Sequence, residues 1–429
     1  MPTDPTTDHP LRYQLVNELH ARPFPVLEAP ATAVFLAFHP GEDAAARERE
    51  ADRGFLSALV TRFGNAAPEP GLTHYAAAIG RASLKWESHT EFVTYTAFQP
   101  GVSARAFDPA EAEVFPSDWL ALASGNRICA MLIRIELAPD DDADLAAKLD
   151  TWFVGESLAV ARVVDGAAVA ASDFRIDPSG HIRCAVFVRP GTGQRRIGRI
   201  VQRLCEIETY RAMSMLGLVA ARQLSSRLSR IEGRLVALVT GLDGATANAE
   251  ADLHELLQIS GELESLAVSA SFRFGATGAY ETIVNQRIQA LREERVSGRQ
   301  TFAEFMMRRY DPAMRTVQST DGRLKTLAER AQRAAELLRT RVEVARSREN
   351  QALLASMDNR ADLALRLQHT VEGLSVVAIS YYGVSLAGYL FAPLAEAAGL
   401  DKASLLAVLT PVVLVLVWFA IRRLRQSFH

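Results

Sequence analysis

Three cysteines in 429 residues, Cys129, Cys184 and Cys205, are too few and too widely spaced for a disulfide framework or a Cys/His zinc pattern. They read as reduced thiols, which suits a cytoplasmic setting. The opening stretch, MPTDPTTDHPLR, has no basic patch running into an apolar segment, so no cleavable signal peptide is predicted. The common catalytic signatures are also missing: GxSxG, HExxH, the protein-kinase set, GxxxxGK[ST] and GxGxxG do not occur. Nor is there an excess of one charge. With 47 basic and 50 acidic residues the net charge is −3, which gives a nucleic-acid partner no global attraction.

What the chain does have is the composition of a folded protein, 49% hydrophobic and 23% charged, at a length suited to two or three domains. Its strongest signal lies near the carboxyl end. Leu374–Leu394, LSVVAISYYGVSLAGYLFAPL, carries no charge. As a helix it would cover about 31 Å, the thickness of a bilayer core. Ala403–Ile421, ASLLAVLTPVVLVLVWFAI, is uncharged too, and only the short segment AEAAGLDK separates the two. Two such segments predict a transmembrane helical hairpin, since backbone polar groups in lipid must be satisfied within each helix. Arg360 and Arg366 precede the first span and Arg422, Arg423 and Arg425 follow the second, whereas the connection holds only Lys402. The positive-inside rule then puts both termini in the cytoplasm, with the protein in a bacterial inner membrane. Within the first span, Ser380, Gly383 and Ala387 are small residues at helical spacing, and Tyr381, Tyr382 and Ser385 add hydroxyls. They fit either a helix-packing face or a polar pore lining. Pro411 is expected to kink the second span.

The amino-terminal part alternates strand and helix signals. Strands are expected at Thr32–Phe38, Thr73–Ile79, Leu84–Phe98 and Ile128–Leu137, and helices at Glu42–Phe63 and Pro109–Ala123. The order βαββαβ predicts a ferredoxin-like α+β domain with extra strands over Leu158–Ala171 and Ile182–Val188. Beyond Gly193 the texture becomes helical: Ile197–Leu242, Ala249–Phe272, Tyr280–Arg309 and Asp321–Glu372. In the last of these, Leu324, Leu327, Ala331, Ala334, Leu338, Val342 and Ala345 follow the mixed three-four spacing of a coiled coil or bundle helix. The expected division is therefore an α+β domain over 1–192, a long-helix bundle and stalk over 193–372, and the hairpin with its basic tail over 373–429.

Three segments could carry chemistry. Glu87, His89 and Glu91 alternate in KWESHTEF, so one continuous strand would set them on one face, as a divalent-metal or acid–base row or simply as the wet side of a sheet. His20 and Arg22 in NELHARPFP could approach that row or clamp the sheet. Arg195, Arg196, Arg199 and Arg203 follow the glycines of PGTGQRRIGRIVQR at a helix start, where phosphate could bind or acidic neighbours could pair. No cofactor can be named from these residues.

NELHARPFP, KWESHTEFVTYTAF, IVQRLCEIETYRAMSMLGL, ELLRTRVEVA and LLASMDNRADLALRLQHTVEGLSVVAISYYGVSL together resemble an uncharacterised bacterial membrane-anchored family, domain of unknown function 3422. The resemblance spans nearly the whole chain and implies a membrane anchor, with no catalytic residues to carry over. The plan of an α/β domain, long helices and a carboxyl-terminal hairpin also resembles the CorA-type magnesium channels. Their Gly-Met-Asn motif is missing, however: the outer end of the first span reads GYLFAPL. Three functions are expected, in order. The first is a membrane-anchored, self-associating scaffold or regulatory protein, favoured over an enzyme by the lack of a catalytic set, and partnered by lipid and by its own copies. The second is an ion channel of CorA-like plan. The third is a membrane-anchored metal-dependent enzyme.

Overall fold

The sheet is built around an interior strand that is buried from end to end. β1 (Ala31–His39), ATAVFLAFH, is covered on both faces, and seven of its nine residues are apolar. It pairs antiparallel with β4 (Val93–Pro100) on one side and with β5 (Asn126–Leu137) on the other. The hairpin of β2 (His74–Ile79) and β3 (Ala82–Ser88) extends the sheet past β4. Past β5 lie β8 (Ile182–Val188), parallel to it, then β7 (Ala168–Ile176), β6 (Ala159–Val163) and the two-residue β9 (Glu294–Arg295). The result is a mixed nine-stranded sheet of order β2-β3-β4-β1-β5-β8-β7-β6-β9 in an α+β fold. The structure, a computed structural model, describes residues 8–13, 15–16, 24–40, 49–123, 125–241, 249–296, 298–397 and 401–427.

The period-2 alternation of each strand sorts side chains between the two faces. Val34, Leu36, Phe38, Trp86, Tyr95 and Ala97 enter the main core, together with Phe55, Leu56 and Leu59 of α1 (Arg49–Val60). There Phe55 stacks on Trp119 of the short α2 (Ser117–Leu120) at 4.1 Å, and the Trp119 indole donates to the Phe55 carbonyl at 2.9 Å. α3 (Asp142–Trp152) adds Leu145 and Leu149 to this core. Residues of opposite parity, Phe35, Lys85, Glu87, Thr94, Thr96 and Phe98, line a cleft with residues of α4 (Gln194–Gly241) and α5 (Ala249–Leu291).

Several element boundaries differ from the sequence expectation. Leu84–Phe98 is two strands rather than one, joined by a turn in which the His89 amide donates to the Phe92 carbonyl at 2.9 Å. This turns the β3-β4 segment into a hairpin and makes the amino-terminal half of the sheet richer than the four strands of a βαββαβ unit. Pro109–Ala123 is a 3-10 turn (Pro109–Val114) followed by α2, because Pro116 interrupts the helical hydrogen bonding. Ala249–Phe272 continues as one helix through Gly275 and Gly278 to Leu291. The segment expected as Tyr280–Arg309 is broken there, and α6 (Phe302–Arg309) starts afresh behind a capping box of Thr301 and Glu304. α7 (Asp311–Ala397) begins earlier than the expected Asp321, with Pro312 in its first turn, where a missing N–H costs nothing. Residues 42–48 of the expected Glu42–Phe63 helix lie outside the described residues.

The chain divides into two compact units, Met1–Ala245 with His254–Ala334, and Thr246–Leu253 with Ala335–His429. The first holds the sheet, its covering helices and the first turns of α7. In the second, the rest of α7 packs with α8 (Lys402–Ser427) through small residues. A Cβ added at Gly383 would lie 3.0 Å from Val413, and one at Gly388 would lie 3.3 Å from Leu406. Ser380, on the same helix, is buried. Two helices, Asp311–Leu394 and Lys402–Arg423, are long and apolar enough to cross a membrane, by length and composition. α8 runs through Pro411 as a single helix.

Candidate functional site

A cleft of about 330 Å³ lies between the sheet and the two long helices of the first unit. Its floor follows from strand alternation. With Leu84 and Trp86 in the core, Lys85 and Glu87 of β3 must face the other way, joined by Thr94 and Thr96 of β4. Its far wall follows from helical spacing, since Gln202, Glu206 and Tyr210 recur every four residues along α4. Phe24 closes one end: the segment Phe24–Leu27 crosses α4 where Gly198 leaves room, and the Leu27 amide donates to the Gln194 carbonyl at 3.2 Å. A Cβ at Gly198 would sit 1.7 Å from the Pro25 carbonyl oxygen, so only glycine allows this crossing.

The polar groups of the cleft form one chain. Glu87 pairs with Lys85 at 3.2 Å, and Lys85 donates to the Gln202 side-chain oxygen at 2.9 Å. The Gln202 amide donates to Glu206 at 2.8 Å, and Glu206 also accepts from Arg287 of α5. Arg203 donates to the Ala290 carbonyl at 2.9 Å. Alternating donors and acceptors on three elements give a wall that can read a polar, uncharged edge of a ligand.

Of the row Glu87, His89 and Glu91, only Glu87 and His89 line this cleft. β3 ends at Ser88, so the strand alternation expected to align all three stops before His89. The His89 ring stacks on Phe92, centroids 4.4 Å apart. Glu91 is buried and engaged elsewhere: Arg273 and the Tyr280 hydroxyl, both on α5, donate to its two oxygens at 2.6 Å each. Burial pushes the Glu91 carboxyl up. His39, Tyr280 and Arg273 more than offset this, and hold it at about 2. The His39 Nε2 lies 3.9 Å from one Glu91 oxygen. The Tyr280 hydroxyl is pushed up by burial and by the Glu91 charge that it faces. Glu91 thus locks the β3-β4 turn onto α5. Among the described residues no group of three or more His, Cys, Asp or Glu side chains is arranged to hold a metal ion. His20 and Arg22 lie outside the described residues.

Arg196 and Arg199 are exposed on α4 and line a second, open cleft with Arg203, Arg292, Gln286 and Gln289. Arg195 lies on the neighbouring surface with Gln194 and Gly193. Burial lowers the Arg203 pKa, and the charges of Arg199, Arg287 and Arg292 lower it further. In the second unit, Ser385 donates to the Tyr381 carbonyl at 2.9 Å, and Tyr381 and Tyr382 are exposed. Ala387 is on the same helix.

Sequence reasoning missed Arg273 and Tyr280 as partners of Glu91, and Gln202, Glu206 and Arg287 as cleft residues. The four-residue spacing of Gln202, Glu206 and Tyr210 was a readable hint of a shared helix face. Nothing local announced Arg273 and Tyr280, since their target is 182 and 189 residues away.

In comparisons with known proteins, the family model described as protein of unknown function (DUF3422) matches residues 7–428. No curated protein matches the chain.

Proposed function

The chain belongs to the DUF3422 family of proteins of unknown function, and from that premise we propose that it is a membrane-anchored, self-associating scaffold or regulatory protein. One observation carries the reading. The uncharged runs of α7 and α8 leave their large apolar side chains exposed, Leu374, Tyr389, Leu390, Val415 and Leu416 among them. A soluble surface rarely exposes a continuous apolar patch of more than a few hundred Å², whereas lipid accepts one at no cost. The arginines before the first run and after the second argue for both termini in the cytoplasm of a bacterium, with the hairpin in the inner membrane. The coiled-coil positions Leu324 to Val342 of α7 are already buried within the chain, so copies would associate through the stretch that follows, where Leu353, Leu354, Met357, Leu363 and Leu367 are exposed.

Membrane fractionation with alkaline carbonate tests the anchor. The full chain is expected in the carbonate-resistant pellet, and a chain ending before Leu374 in the supernatant. Recovery of the intact chain as a soluble species overturns the reading. Light scattering of the detergent-purified protein tests self-association: a monomer at micromolar concentration removes that part of the proposal while leaving the anchor in place.

A further inference from the structure

The two clefts of the first unit are neighbours: Arg203 and Ala290 line both. On one side of this shared wall lies the cleft with Phe24, Tyr210 and the chain of polar groups from Glu87 to Glu206. On the other side Arg196, Arg199, Arg203 and Arg292 line one hollow, and among the described residues no acidic side chain lines it with them. We propose that the two clefts form one binding site for a nucleotide, its ring and sugar in the aromatic and polar cleft and its phosphates among the arginines. The proposal concerns the first unit alone and does not rest on the membrane reading.

Three observations favour this ligand class. First, the arginines are not spent on each other's neighbours. Among the described residues neither Arg196 nor Arg199 has an ion-pair partner, and only Arg292 has one at the rim, Asp165 at 2.6 Å. Like-charged guanidiniums converging on one hollow repel each other, which favours release of that repulsion by a multiply charged anion. The lowered pKa of Arg203 is the same repulsion added to burial. Second, Arg292 occupies the position just past the end of α5 with φ at +49°, a left-handed conformation in which glycine is the unstrained choice. The chain holds an arginine there, at the lip of the cleft. Third, the adjoining cleft is of small-ligand size, at the low end of the roughly 300–1,000 Å³ typical of such sites. It carries what a base and ribose need: the rings of Phe24 and Tyr210 for the flat faces, and Gln202, Glu206 and Thr94 for the polar edges. Inorganic phosphate or a lipid headgroup would use the arginines and leave this second cleft without a role.

The test is calorimetric titration of the detergent-purified full chain with ATP, tripolyphosphate and adenosine. ATP is expected to bind at least about tenfold tighter than either part, and more weakly as salt rises. Arg196→Ala/Arg199→Ala, two exposed positions whose loss leaves the fold intact by circular dichroism, is expected to weaken ATP and tripolyphosphate about tenfold or more and leave adenosine unchanged. Phe24→Ala is expected to weaken ATP and adenosine and leave tripolyphosphate unchanged. The nucleotide assignment is overturned if tripolyphosphate binds as tightly as ATP, if the double variant binds ATP like the wild type, or if none of the three binds. Short-chain phosphatidylglycerol displacing ATP at equal concentration would reassign the arginines to lipid headgroups, and would overturn it as well.

Discussion

Glu91→Gln separates the structural role of this carboxylate from any role in chemistry. The side chain is 1% exposed and takes two 2.6 Å hydrogen bonds from α5, one of them from a guanidinium that is itself only 18% exposed. The substitution keeps the shape, removes the charge and strands Arg273. Breaking a buried pair from one side costs about 3–5 kcal/mol. A second route gives a similar size: lowering a carboxyl from its ordinary 4.5 to about 2 corresponds to about 3 kcal/mol of stabilisation. The sign follows from the direction of the shift. The folded pKa lies below the unfolded one, so the stabilisation is complete above pH 4.5 and is lost as the pH falls toward 2. Denaturant unfolding followed by tryptophan emission reports this unit well, because Trp86, Trp119 and Trp152 all lie in it. At pH 7 the variant is expected to be about 3 kcal/mol less stable than the wild type, a large share of the total for a domain. The gap should close as pH falls from 4.5 to 2. A gap under about 1 kcal/mol at pH 7, or one that stays constant across that range, would refute the argument. Arg273→Met combined with Glu91→Gln should cost less than the sum of the single changes, since neither charge is then left stranded.

Three further outcomes are expected. Gly198→Ala places a methyl group on the Pro25 carbonyl and should cost about 2 kcal/mol or more, with the segment before Leu27 becoming a site of rapid limited proteolysis; resistance equal to that of the wild type contradicts the crossing. Gly383→Leu should push α7 and α8 apart at Val413 and lower the melting temperature of the detergent-solubilised chain, by about 1 kcal/mol or more of packing, whereas Leu386→Ala on the exposed side should not. The thiols of Cys129, Cys184 and Cys205 are buried, and burial pushes all three up. A thiol reagent at pH 8 should therefore label none of them in the folded protein and all three after denaturation in SDS, read by mass spectrometry.

The amino-acid order alone determined whatever repeats within about twenty residues. Uncharged runs marked the apolar helices Leu374–Leu394 and Ala403–Ile421, three-four spacing marked the long helices, and alternation marked most strands, because helix and strand periods are local properties of the backbone. The same order placed Lys85 and Glu87 on one face of a strand and Arg196, Arg199 and Arg203 on one stripe of a helix. It did not reveal that β3 stops at Ser88 and turns back through residues 89–92, nor that Glu91 in that turn meets Arg273 and Tyr280 on a helix far along the chain. Nor could it bring Arg292 to Arg203, or Glu206 to Arg287. Those meetings depend on how α4 and α5 lie against the sheet, which is decided by burying side chains such as Val201, Leu204, Val284 and Ile288 rather than by any local pattern.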